Sequence, residues 1–381
     1  QVHCQVQFLQ FLNFEYFLSY YFCFLMLSFI GIAMNFVFGT LLTANGNLKE
    51  LNINRREVTE KDIEIEILYC GVCHSDLHQA KDECGGSIYP MVPGHEIVGK
   101  VSAVGSSVSK FKIGDLAGVG VMVDSCKTCK NCQESLEQYC AEGMTGTYNA
   151  KERNGTGVTM GGYSTQIVVD QRYTLHVSPK LDLAAVAPLL CAGITTYSPL
   201  VFAGVKKGMK VAVVGLGGLG HMGVKFAVSF GAEVTVISTS PSKEADAKKL
   251  GATHFLISTD ADAMKKYNSY FDVILDAISA NHDFTTYLNL LATNGKLMVV
   301  GLPIESPKVQ PFSLVTNRRS VIGSSIGGMQ ETQEMLDYCA EHNIVSDIEI
   351  IPIQDINEAY TRMLKGDVKY RFVIDLASLK S

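Results

Sequence analysis

The sequence predicts an α/β chain of two unlike domains, one a mostly antiparallel β domain and the other built on a doubly wound parallel sheet. Two observations predict the division. From Lys61 to Tyr69 charged and apolar residues alternate, the period of a half-buried strand, and glycine-punctuated β segments continue beyond it. After about Pro188 short apolar runs alternate with helical stretches, the pattern of parallel crossovers. A third observation is length: 381 residues can bury two separate cores.

Taken in order, residues 1–38 stand apart. Tyr16 to Met34 is uncharged and rich in Phe, Leu and Tyr, and about 20 such residues can cross a bilayer. Yet no Lys or Arg precedes Lys49, where a signal peptide or an oriented membrane span calls for one. The expectation is an extension foreign to the fold, arising from an artefactual or mispredicted start. A membrane anchor and a cleaved signal are the alternatives.

Residues 39–189 read as the β domain. EIVGKVSAVG and YSTQIVVD are strand-like, with turns at Gly105, Gly114-Asp115 and Gly161-Gly162. Residues 190–326 read as the parallel-sheet domain. Its strands are MKVAVVG, AEVTVIS, HFLI, FDVILDA and GKLMVVG, interleaved with helical stretches such as HMGVKFAVSF and Lys243 to Leu250. Residues 327–381 revert to mixed structure, and the tail containing KYRFVIDL is expected to complete the first domain.

Net charge is -6 with no basic run, which argues against a nucleic-acid partner. Eleven cysteines, four of them crowded between Cys126 and Cys140, suit metal binding better than a disulfide scaffold.

Gly215-Leu216-Gly217-Gly218-Leu219-Gly220 fits G-x-G-x-x-G after an apolar strand and before a helix, the context a dinucleotide site requires. The helix N-terminus there offers N–H groups to a pyrophosphate. The end of the next strand selects the cofactor. Ser238-Thr239-Ser240 and then Lys243 stand where an NAD site places a carboxylate. Hydroxyls and an ammonium suit a 2′-phosphate, so NADP(H) is expected.

Cys126, Cys129, Cys132 and Cys140 have the spacing of four thiolates around one tetrahedral Zn²⁺ with no open position, a structural site. A second set is dispersed: Cys73 in CGVCHSDLH, His95 and Glu96 in PGHE, and Cys191 in PLLCAGIT. Two thiolates and an imidazole would leave one zinc position open for substrate. Spacing alone does not group them; by itself Cys191 reads as core and His95 as hydrogen-bonded structure.

These motifs, with YPMVPGHEIVG, APLLCAGITTYSPL, VVGLGGLGHMGVKFA, IGGMQETQEMLDYCAEH and DVKYRFVID, resemble the zinc-containing medium-chain dehydrogenase/reductase family. Within it they are most similar to the cinnamyl alcohol dehydrogenase-like branch and to bacterial broad-specificity NADPH-dependent aldehyde reductases. The resemblance spans roughly residues 39–381. It implies a GroES-like catalytic domain, a Rossmann domain for NADP(H), two Zn²⁺ per subunit and a homodimer joined through the cofactor domain. It further implies that Cys73, His95 and Cys191 bind catalytic zinc with Glu96 as a nearby or alternate ligand, and that Asp76 orients His95. Ser75 then contacts the substrate oxygen, His78 relays the proton, and Thr195, Gly301 and Ser325 line the nicotinamide half of the cofactor.

Two positions depart from relatives in this branch. Cys84 and Thr145 stand where relatives carry Trp, and the whole chain has none, so strict phenylpropenyl specificity is not expected. The expected activity is mainly NADPH-dependent aldehyde reduction on small-molecule aldehydes. The alternatives are a cinnamyl alcohol dehydrogenase and a zinc-free enone or quinone reductase on the same fold. The expected setting is cytoplasmic, and membrane-tethered only where residues 1–38 belong to the working protein.

Overall fold

A computed structural model describes residues 35–39, 47–83, 85–155 and 157–379. The apolar run Tyr16 to Met34 and Cys84 lie outside the described residues. Among the described residues, two large sheets organise the chain.

The strands of the first are short and apolar on both faces. In Lys210–Val214 every residue after the lysine is buried, and Glu233–Ser238 behaves alike. Such strands need cover on two sides, which a parallel sheet flanked by helices supplies. The sheet runs His254–Ile257, Glu233–Ser238, Lys210–Val214, Phe271–Asp276, Leu291–Val299, Ser320–Gly323, and all neighbours are parallel. Side chains alternate between the two covers. Val211 and Val213 pack with Met222, Val224 and Phe226 of the helix Gly220–Ser229, while Ala212 and Val214 pack with Phe284 and Leu288 on the other face. Strand order reverses between Lys210–Val214 and Phe271–Asp276, and the crevice past their carboxyl ends is where such sheets take ligands.

The second sheet is antiparallel apart from one pair. Its order is Ile348–Pro352, Arg371–Asp375, Asp62–Gly71, Ile97–Val104, Leu116–Val119, Leu175–His176, and Gln166–Asp170 also pairs with Asp62–Gly71. Ile348–Pro352 and Arg371–Asp375 are the parallel pair. The alternation read in KDIEIEILY is realised in Ile63, Ile65 and Ile67, which point into one core. The register then shifts between Ile67 and Tyr69, so Cys70 rather than Tyr69 joins that core. Val373 pairs with Gly71, and the Val72 N–H donates to the Phe372 carbonyl at 2.9 Å. That register sets Arg371 beside Cys73.

Two small ribbons complete the sheets: Asn35–Gly39 with Lys49–Ile53, and Met122–Asp124 with Thr145–Gly146, which brackets the four-cysteine segment. No single helix among the described residues is long and apolar enough to cross a membrane.

Candidate active site

Cys73 and Cys191 each stand at the N-cap of a helix, His74–Ala80 and Ala192–Ala203. This is a position where the helix dipole favours a thiolate. His95 and Glu96 enter from the turn just before Ile97–Val104. The strand Asp62–Gly71 ends in glycine because a Cβ at Gly71 would overlap the Glu96 carboxylate. The four side chains converge, with one ligand atom from each of Cys73, His95, Glu96 and Cys191 lying within 4.8 Å of the others. All four residues are buried.

Charges around the cluster are arranged in pairs. Asp76 is fully buried and accepts from the N–H of Cys73 at 2.9 Å, the N–H of Gly94 at 3.1 Å and the Tyr163 hydroxyl at 3.1 Å. It also meets His95 Nδ1 at 3.0 Å. An imidazole that donates Nδ1–H to a carboxylate presents Nε2 for coordination. Burial opposes the imidazolium, but the Asp76 charge and hydrogen bond outweigh it and raise His95 well above its usual range. Tyr148 stacks on the ring at 5.8 Å.

The two thiols lie 3.9 Å apart. Their hydrogen bond holds Cys73 well below the usual thiol range, helped by the Arg371 charge, and raises Cys191 above it together with burial. Burial pushes Glu96 up to about 7 against the pull of Arg371. The Arg371 guanidinium donates to Glu96 Oε1 and lies 3.9 Å from Cys73 Sγ. Glu96 Oε2 is buried with no protein partner. Two sulfurs, an imidazole nitrogen and an unpartnered carboxylate oxygen form a donor set that fits Zn²⁺.

The second cluster also assembles, with the sulfurs of Cys126, Cys129, Cys132 and Cys140 within 4.8 Å of one another. Backbone N–H groups point at these sulfurs: Cys126 to Cys140 at 3.3 Å, Cys129 to Cys126 at 3.3 Å, and Ala141 to Cys129 at 3.4 Å. Backbone N–H groups of Thr128 and Cys129 lower the Cys126 thiol to about 6, while burial pushes Cys132 up to about 11. Four sulfurs so placed fit a closed tetrahedral zinc.

The glycine loop lies between Lys210–Val214 and the helix Gly220–Ser229. Gly215 has φ +88°, and a Cβ at Gly220 would overlap the Gly215 carbonyl, so turn and packing both require glycine. Gly217 is exposed with nothing within 4 Å of its Cβ direction, leaving the backbone open to a phosphate. Leu216 is buried and Leu219 half-buried against the core. Lys243 Nζ donates to the Leu216 carbonyl at 2.9 Å, which sets its ammonium between this loop and the next strand. Ser238 is buried at that strand's end, accepting from the Ser240 N–H at 3.2 Å, and Thr239 is exposed. Serine and threonine hydroxyls beside an ammonium fit a phosphorylated ribose.

The other site residues fall in distinct settings. Ser75 is exposed with its Oγ 3.7 Å from Cys73 Sγ. His78 is half-buried one turn further along the helix, its Nδ1 paired with Glu83. Thr195 is buried in the first turn after Cys191. Gly301 packs on the Ile278 backbone, and the Ser325 N–H donates to the Tyr139 hydroxyl at 3.1 Å. Thr145 is buried and lines a cavity of about 310 Å³ with Arg55, Arg56, Asp62 and Asp170. None of Cys73, His95, Glu96 or Cys191 lines that cavity. Sequence reasoning missed Arg371. Its signal was a charge placed directly before the apolar run Phe372-Val373-Ile374, and it is 5% exposed. A Cβ at Gly218 would lie 2.9 Å from Arg371 Cδ, so this arginine reaches from the cysteine cluster to the glycine loop.

A nucleotide-type loop joined through one arginine to a buried two-cysteine, one-histidine cluster defines a metal-assisted dehydrogenase. Residues 59–179 match the alcohol dehydrogenase GroES-like domain, and residues 218–341 match the zinc-binding dehydrogenase family. Aldehyde reductase YahK of Escherichia coli K12 is 54% identical over 88% of this chain and 97% of its own length. A cinnamyl alcohol dehydrogenase of Sorghum bicolor superposes with TM-score 0.88 at 42% identity, covering 91% of this chain and 98% of that one. The Helicobacter pylori cinnamyl alcohol dehydrogenase solved with NADP(H) gives 0.84 at 44% identity, covering 91% and 99%. The chain belongs to the zinc-binding medium-chain alcohol dehydrogenase family.

Proposed function

We propose that the chain interconverts aldehydes and primary alcohols with NADP(H), working mainly as a zinc-dependent aldehyde reductase. Its catalytic domain would be residues 39–189 completed by 327–381, its cofactor domain residues 190–326, and residues 1–38 an extension outside both. The observation that carries this reading is the single buried cluster of Cys73, His95, Glu96 and Cys191, linked by Arg371 to the loop at Gly218.

Cys73, His95 and Cys191 would hold zinc, which would supply Lewis acidity toward a carbonyl oxygen, and bound NADPH would supply the hydride. The chain's own residues do the rest. Asp76 fixes the tautomer and ring plane of His95. Arg371 balances the carboxylate of Glu96, which would otherwise be an uncompensated buried charge. Ser75 holds a hydroxyl beside the cluster at the exposed start of its helix, placed to pass a proton. His78, one turn along and half-exposed, returns that proton from the solvent side. Gly215, Gly217, Gly218 and Gly220 open the backbone to the pyrophosphate. Ser238, Thr239, Ser240 and Lys243 receive the 2′-phosphate, and Thr195, Gly301 and Ser325 border the nicotinamide.

The likeness to an aldehyde reductase and to an NADP(H)-bound alcohol dehydrogenase supports this direction and cofactor. A homodimer is part of the proposal. Leu302, Ile304, Phe312 and Val315 are 82, 97, 77 and 70% exposed, and they lead into Ser320–Gly323, the edge strand of the parallel sheet. An apolar patch beside an open sheet edge calls for a partner, and sedimentation velocity reads the assembly. Cysteines held as thiols for metal suit a reducing compartment, which supports a cytoplasmic setting.

The decisive experiment is a panel of aliphatic, aromatic and terpenoid aldehydes assayed with NADPH and NADH on protein of known metal content. Broad NADPH-dependent reduction with about two zinc ions per chain supports the reading. Absence of zinc would favour an enone or quinone reductase, and activity confined to phenylpropenyl aldehydes a cinnamyl alcohol dehydrogenase. The pair Thr239→Asp and Lys243→Ala should turn preference toward NADH; persistent NADPH preference would place the phosphate pocket elsewhere.

A further inference from the structure

One segment outside both metal clusters ties the four-cysteine lobe to the cofactor side. After Ser320–Gly323 the chain leaves the parallel sheet through residues 324–328 and enters the helix Met329–His342. Ile326 sits in this passage with φ +41°. A β-branched residue adopts that conformation only where its surroundings impose it.

The four-cysteine lobe supplies the constraint. Ser135, Glu137 and Tyr139 lie between its ligands Cys132 and Cys140, so closing the lobe around metal fixes all three. The Tyr139 hydroxyl accepts the Ser325 N–H at 3.1 Å. Glu137 Oε2 accepts the Met329 N–H at 3.0 Å, capping the helix from outside its own chain segment. Ser135 Oγ donates to Gln330 Oε1 at 3.2 Å. Between these holds the backbone of Gly328 approaches so closely that a Cβ there would overlap the Ser135 carbonyl. Ile326 and Met329 meanwhile pack against the cores of both large sheets. The passage is therefore gripped from three sides, and its one strained residue lies between the two accepted N–H groups.

We propose that Glu137 and Tyr139 are positioning residues through which the metal-closed lobe holds residues 325–330 in their strained form, setting how tightly the nicotinamide end of the cleft takes NADP(H). This rests on the assignment of Ser325 to the cofactor border made above. The test compares Tyr139→Phe and Glu137→Ala, singly and combined, with Glu137→Gln, which keeps an acceptor oxygen. Zinc content, NADPH Kd by fluorescence, kcat at saturating NADPH, and amide exchange over residues 324–332 are measured on each full-length protein.

In the double variant we expect unchanged zinc content and a Kd for NADPH raised about 5–20-fold, the size of losing two such hydrogen bonds. We also expect little change in kcat and faster exchange at 324–332. Glu137→Gln should restore Kd nearly to wild type. An unchanged Kd with zinc retained overturns the proposal, as does loss of zinc or of thermal stability with Kd unaltered, which marks a purely structural contact. If the double variant does not fold, Tyr139→Phe alone decides. A wild-type protein that binds no NADPH overturns the cofactor assignment instead, and exchange at 324–332 then decides whether the clamp exists.

Discussion

The lobe at Cys126–Cys140 and the inner cluster at Cys73 and Cys191 use the same element, cysteine sulfur, under opposite conditions. In the lobe the ligands are near neighbours in sequence and three of the four are only half-buried; the sulfurs meet mainly backbone N–H groups and hydroxyls, with the exposed Arg153 guanidinium 3.9 Å from Cys140. In the inner cluster the ligands are all buried and come from remote segments. Their neighbours there are charged side chains, Asp76, Glu96 and Arg371. Backbone dipoles are fixed once the loop is made, so the lobe can do little but hold a metal and a shape. Side-chain charges from a helix, a loop and a strand can be set against one another, and that is how reactivity is adjusted at a metal. On the proposed function, the difference separates a fastening from a reaction centre.

The comparison breaks most sharply at Cys191. Cys191→Ala should remove the inner zinc and cut aldehyde turnover by on the order of a thousandfold or more, several kcal/mol of lost charge stabilisation. The lobe zinc should remain, so metal analysis should read about one zinc per chain. Retained turnover with one zinc would make the lobe the reactive site and invert the assignment. Arg371→Met should follow in size. It strands Glu96 as a buried charge and removes the link to the glycine loop, so NADPH affinity should fall by about 10–100-fold, within the cost of breaking a buried pair. A change in kcat alone, with NADPH affinity intact, would show that Arg371 serves only the cluster. Cys132→Ala should act on the other side of the comparison. Zinc content falls to about one per chain and Tm drops by on the order of 10 °C, while turnover of the surviving folded fraction at saturating NADPH changes least. A Tm equal to wild type would show that the lobe contributes nothing to folding.

The same contrast explains what was legible in the sequence. Cys126, Cys129, Cys132 and Cys140 could be grouped by spacing because their loop is local, and the convergence of their sulfurs needs no other part of the fold. The alternation in KDIEIEILY and the unbroken apolar run in MKVAVVG are likewise local signals, so both sheets could be anticipated. Cys73 and Cys191 are 118 positions apart, and only sheet register and two helix caps bring them together; a family resemblance had to group them. Arg371 depends on the pairing of Val373 with Gly71, which no local pattern encodes. The grip of Glu137 and Tyr139 on Met329 and Ser325 spans nearly 200 positions, 192 in one case and 186 in the other. The positive φ of Ile326 likewise has no local signature, because the contacts that hold it come from the distant lobe.

The smallest effect on metal content and stability tests whether the proton path is distinct from the metal. His78 shares a helix with Ser75 but touches neither sulfur; its ring pairs with Glu83 and is about 40% exposed. Replacing a zinc ligand changes metal content, whereas replacing a relay should not. His78→Ala should therefore keep both zinc ions and the wild-type Tm while slowing turnover about 10–100-fold, the range for losing a positioned acid–base group. If the histidine delivers protons, exogenous imidazole should recover part of the lost rate, because the site faces solvent. Glu83→Gln should have a milder effect in the same direction, since it only orients the ring. Unaltered turnover in His78→Ala would remove the relay and leave Ser75 to exchange its proton directly with water, with the two-cluster division of labour untouched.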